Sequence, residues 1–216
     1  MDLDSFSQCI QYIQSNRVGF SYDKLIPVAS ALIGSVIGFK LNQYSGEKKD
    51  RRVIENKVVV CKEEVEELQN SAKEIALETC DIFKHIVTFR SFDLHHLPPS
   101  VNSMFLDKCF VDVSHEFSSN QRKVITQLLI TVRSINKAIE SVKGSGSLFE
   151  FSINVLDLSN KSIVAWGLCN DFINDNCTEL TEVDALSNML ATEDQLAAHK
   201  IIKDNAISGN LNLGIN

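Results

Sequence analysis

The chain has 216 residues and a formal net charge of −7. Residues 58–216 hold 13 of the 21 basic and 22 of the 28 acidic side chains, which leaves that part at −9. Such acidity argues against a nucleic-acid partner, because phosphate neutralisation by Lys and Arg supplies most of that affinity. The cysteines Cys9, Cys61, Cys80, Cys109, Cys169 and Cys177 show no CxxC or paired spacing. Neither a metal site nor a disulfide framework is signalled, and reduced thiols in a cytosolic domain are expected.

The chain is expected to open with a short extracytoplasmic leader, residues 1–20. Residues 25–39 then read Leu-Ile-Pro-Val-Ala-Ser-Ala-Leu-Ile-Gly-Ser-Val-Ile-Gly-Phe, between Lys24 and Lys40. Fifteen uncharged residues cover about 22 Å as a helix, short of a hydrocarbon core of about 30 Å. A Lys40 amine that snorkels to the headgroups lengthens the span, giving a transmembrane helix over 21–44. Phe20, Tyr22 and Tyr44 stand where interfacial aromatics are expected, and Pro27 lies near the start, where a missing donor costs least. Two other readings compete: a secretory signal with Ala29-Ser30-Ala31 as its small-residue site, and a buried core helix.

The segment 45–57 forms a basic collar. Lys40, Lys48, Lys49, Arg51, Arg52 and Lys57 follow the apolar run, against only Arg17 and Lys24 before it. The positive-inside rule places the C-terminal part in the cytoplasm of a cell whose plasma (inner) membrane holds the span. The collar itself suits an anionic leaflet, making the lipid bilayer the first expected partner.

Residues 58–207 are expected to form an all-α cytoplasmic bundle built on a long helix and packed antiparallel. Ile54, Val58, Cys61, Val65, Leu68, Ala72, Ile75, Thr79, Ile82, Ile86 and Phe89 alternate spacings of four and three, a coiled-coil-like seam. The seam is expected to pack inside the bundle in preference to a sister chain. Lys62, Glu63, Glu64, Glu66, Glu67, Lys73 and Lys84 lie off it and are expected to stay in water. Pro98-Pro99 stops the helix. Phe105, Leu106 and Phe110 are read as a loop, and Ser118, Ser119 or Asn120 as the cap of a second helix. That helix carries Val124, Ile125, Leu128, Leu129, Val132, Ile135, Ile139 and Val142.

Gly144-Ser145-Gly146-Ser147 breaks it. A third helix follows with Phe149, Ile153, Leu156, Ile163, Trp166 and Ile173 on its apolar face and Asn160 interrupting. Residues 184–207 read as helix, and 208–216 as a flexible tail. No stretch alternates like a strand.

Within the span, Ser30, Gly34 and Gly38 recur every four residues, with Ala31 and Ser35 beside them. Small residues at that spacing let helix backbones approach closely in lipid, so a homo-oligomer is expected. His85, His115 and His199 have no partners at ligand spacing, and no cofactor or metal is expected. The catalytic candidates are Arg90 and His95, which match the R-x4-H signature of HEPN-type ribonucleases. In those enzymes the two residues polarise a phosphodiester for attack by the 2′-hydroxyl. The same pair could instead cap the last carbonyls of the long helix.

Leader, Gly/Ser-rich span, basic collar and acidic helical domain together resemble the bitopic membrane effectors of bacterial antiphage systems, including the membrane-pore accessory family of type VI-B CRISPR loci. Only Arg90 and His95 match a motif there. The resemblance implies a homo-oligomer that permeabilises or depolarises the inner membrane when a cytosolic defence partner is triggered. Two further readings stand beside it: a membrane-tethered helical scaffold that binds a cytosolic protein, and a HEPN-like ribonuclease held at the membrane.

Overall fold

The computed structural model describes residues 8, 11–12, 22–88, 97–176 and 180–207, without the side chains of 22–26 and 28. The described residues are all-α, with no strand among them. Among the described residues from Tyr22 on, six helices follow one another: α1 (Tyr22–Val87), α2 (Met104–Val113), α3 (Ser119–Gly144), α4 (Leu148–Asn174), α5 (Glu182–Asn188) and α6 (Glu193–Ile207). A 3-10 turn, Ser114–Glu116, joins α2 to α3. The chain divides into two units, Met1–Val53 and Ile54–Asn216, and α1 contributes to both.

In the first unit the apolar run and the collar belong to one continuous helix. Pro27 sits in its second turn without ending it, and the Ser30 hydroxyl donates to the Pro27 carbonyl at 2.9 Å. Among the described residues no helix is long and apolar enough to cross a membrane. Leu25, Ile26 and Val28, in the apolar start of the expected span, are outside the described side chains. The leader lies outside the described residues except for 8, 11 and 12, which are helical.

In the second unit the heptad seam is buried within the chain itself. Cys61, Val65, Leu68, Ala72, Ile75, Thr79, Ile82 and Ile86 are buried, and Ile54 and Val58 pack partly against them. Ala76, Cys80 and Phe83 are buried as well, so the apolar face is wider than a two-residue seam. Helix α1 ends at Val87, and Phe89 and the approach to Pro98 lie outside the described residues.

α3 and α4 pair antiparallel, tied at both ends. The Ser118 hydroxyl donates to Asp175 Oδ1 (2.9 Å) and Gln121 Nε2 to the Phe172 carbonyl (3.3 Å). At the other end Asn154 Nδ2 reaches the Ser141 carbonyl (3.2 Å) and Ser145 Oγ (2.9 Å). Ser118 starts α3 with a complete capping box, its hydroxyl accepting from Gln121 N while Gln121 Oε1 accepts from Ser118 N. Such a box satisfies two amides that a helix start would otherwise leave bare. Val124, Ile125, Leu128, Val132, Ile135, Ala138, Ile139 and Val142 form the buried stripe of α3.

Two sequence expectations are corrected here. Phe105, Leu106 and Phe110 belong to helix α2, not a loop. On α4 the apolar face is partly turned: Ile163 and Trp166 are buried as expected, but Phe149, Ile153 and Ile173 are exposed, while Phe151, Val155, Leu158, Ser159, Ser162 and Phe172 are buried. Buried serines made the difference. Ser152 and Ser162 return their hydroxyls to the carbonyls of Leu148 and Leu158, both at 2.8 Å, so a polar residue packs at the interface without an unmet donor. The stretch 184–207 is helical as expected, in two helices with Leu190 in a left-handed conformation (φ 69°) between them.

Candidate functional site

The apolar half of the first unit is exposed on every side. Leu32, Ile33, Val36, Ile37, Phe39 and Leu41 are all exposed, Phe39 at 70%. At 100° per residue they spread over more than half the helix circumference. Ser30, Ala31, Gly34, Ser35 and Gly38 fill the remainder as a stripe of small residues, also exposed. A side chain built at Gly34 or Gly38 would meet nothing within 4 Å. Within the first unit, nothing described occupies the stripe. The Ser35 hydroxyl donates to the Leu32 carbonyl at 2.9 Å, which masks its polarity.

The collar continues on the same helix with Lys40, Lys48, Lys49, Arg51 and Arg52 exposed. Lys57, counted with them in the sequence, belongs to the second unit and is spent on an ion pair with Asp112 (2.5 Å).

Glu64 is the main departure in the second unit. Expected in water, it is 6% exposed and its carboxylate accepts from the backbone amides of Phe105 (3.1 Å) and Leu106. Ser103, at the N-cap of α2, makes no capping bond with its side chain. A carboxylate at a helix start meets both the bare amides and the positive end of the dipole. Nothing in the local sequence of α2 signals this, because the cap comes from another helix.

A groove of about 360 Å³ lies beside this corner, lined by Asp107, Lys108, Arg133 and Asn136 among others. Its polar groups are largely engaged with one another. Arg133 Nη2 pairs with Asp107 Oδ1 (2.8 Å), while Asn136 accepts from Val101 N (2.7 Å) and donates to Val101 O (2.9 Å).

Arg90 and His95 lie outside the described residues. His85 Nδ1 is bonded to the Asp81 carbonyl (2.8 Å), and His115 lies beside Glu116 (3.1 Å). His199 is buried against the edge of Phe83 (centroids 5.8 Å apart) with Nε2 unpartnered. Among the described residues no group of His, Cys, Asp and Glu could hold a metal ion.

No family model, curated protein or solved structure matches the chain.

Proposed function

We propose that this chain is a single-pass, self-associating membrane protein whose helical domain lies in the cytoplasm. It acts as an oligomeric effector that permeabilises or depolarises the inner membrane in antiphage defence. The observation that carries the reading is the helix around residues 29–41. Its exposed surface is apolar on every side, with a stripe of small residues along it and a basic collar after it. A helix with that surface is stable inside protein or lipid, not in water. Nothing described in the first unit covers it, and lipid and other copies of the same helix are the natural surroundings. The collar supplies the electrostatic anchor on the anionic leaflet.

The test combines fractionation with a potential-sensitive dye. The protein should stay with membranes through a carbonate wash, a reporter fused after Asn216 should be cytoplasmic, and expression should collapse the membrane potential. Extraction by carbonate ends the membrane reading.

A second reading, a tethered scaffold, is favoured by α2. Met104, Phe105 and Val111 are exposed there, Val111 at 76%, as an apolar patch that a cytosolic protein could cover. Membrane residence without any loss of potential would favour the scaffold over the effector.

A further inference from the structure

Two contacts fix how α1 and α2 lie against each other. Lys57 on α1 meets Asp112 near the end of α2. Two turns further along α1, Glu64 meets Phe105 and Leu106 at the start of α2. The helices therefore run antiparallel. Cys61 lies four residues after Lys57 and three before Glu64, and so stands on the same face as both. Cys109 lies three residues before Asp112 and three after Leu106, again on the facing side. The register brings the two cysteines opposite each other, one turn from each contact.

We propose that Cys61 and Cys109 are a redox modification site, at which a peroxide converts two facing thiols into a disulfide that locks α2 onto α1. Both are free thiols in the structure. Each sulfur lies within electrostatic reach of the other, and both act on the Lys57 ammonium.

The two thiols have different parts. Cys61 is fully buried, and burial pushes its thiol up to about 11, with Cys109 and Glu64 adding to the shift and Lys57 opposing it. So little thiolate makes Cys61 a poor first target for an oxidant. Cys109 is partly exposed and meets the oxidant first. Its thiolate attacks the peroxide, an S–O bond forms, the O–O bond breaks and hydroxide leaves, giving a sulfenic acid. The Cys61 sulfur then gives up its proton and attacks the Cys109 sulfur. The S–S bond forms, the S–O bond breaks, and the departing hydroxide takes the proton as water. The two electrons given up by the sulfurs reduce the peroxide.

Cys80 and Cys169 are no rivals, since both are fully buried and burial pushes each thiol up to about 12.

The test uses the full-length chain, treated with hydrogen peroxide, alkylated under denaturing conditions and mapped by mass spectrometry. A peptide pair joining Cys61 to Cys109, absent after dithiothreitol and absent in Cys109→Ser, is expected. The oxidised wild type should also melt at a higher temperature than the reduced form, a difference that Cys109→Ser removes. Cys109 trapped as sulfinic acid while Cys61 remains fully alkylatable overturns the proposal. So does a disulfide from Cys109 to Cys9 or Cys177.

Discussion

Glu64 caps a helix that begins forty residues after it: its carboxylate accepts from Phe105 N at 3.1 Å and from Leu106 N. Removing it leaves two amides at the start of α2 without a partner, in a place 6% exposed at Glu64 and fully closed at Leu106. Glu64→Ala should therefore cost about 1–3 kcal/mol, the range for stranding buried donors from a charged acceptor. Glu64→Gln should cost less, because it keeps one acceptor oxygen. Thermal unfolding followed by circular dichroism measures this, with the exposed neighbour Glu63 as control. Glu63→Ala should stay within about 0.5 kcal/mol of wild type, and equal losses at the two positions would remove the capping role.

The same contact explains what the sequence could and could not tell. The start of α3 was legible because its cap is local, Ser118 and Gln121 being three residues apart. The start of α2 was not, since its own N-cap Ser103 makes no side-chain capping bond and the acceptor is distant in sequence. The seam of α1 from Cys61 to Ile86 followed its spacing closely, because apolar side chains there do the packing. The face of α4 did not, because Ser152, Ser159 and Ser162 are buried at positions where a hydropathy pattern reads surface. Of the candidate site, the small-residue stripe was legible as spacing alone. The facing of Cys61 and Cys109 needs the register of two helices, which no single segment encodes.

His199 ties stability to pH. Its ring is 3% exposed, and Nε2 has no partner. Burial holds the imidazole below its ordinary 6.5, with Glu182 raising it and Lys203, itself paired to Glu182, lowering it. The fold favours the neutral ring, so the unfolded chain takes up the proton first as pH falls. The contribution is complete above about 6.5 and is lost as pH falls from there through the lower folded value. Denaturation midpoints measured between pH 7.5 and 5 should decline for wild type. In His199→Leu the decline should be shallower; identical slopes would show that other groups carry it.

Arg90 and His95 have a clear chemical test, although they lie outside the described residues. As helix-end residues they would contribute at most about 1 kcal/mol each. Arg90→Ala combined with His95→Ala should leave expression and the membrane phenotype intact, and purified wild type should not cleave single-stranded RNA. A folded double variant without phenotype, together with cleavage by wild type, would establish the ribonuclease reading.

Assembly is the point on which the proposed effector depends, since a lone helix cannot line a pore. Gly34→Leu and Gly38→Leu test it cleanly. Neither adds a clash at Cβ within the first unit, where a Cβ at either position meets nothing within 4 Å. Neither weakens the helix, because glycine is the poorer helix former by about 0.8–1 kcal/mol against alanine and leucine lies close to alanine. Insertion should not suffer either, as leucine partitions favourably into a membrane. What leucine changes is the depth to which a second helix can approach the stripe. Each substitution should leave the protein in the membrane fraction with its helical domain folded, yet reduce the mass of the detergent-extracted particle and restore membrane potential in expressing cells. Light scattering and the dye read the two effects separately. Unchanged assembly and unchanged depolarisation in both variants would end the claim that the stripe brings copies together, and a monomeric wild type would end the effector reading with it.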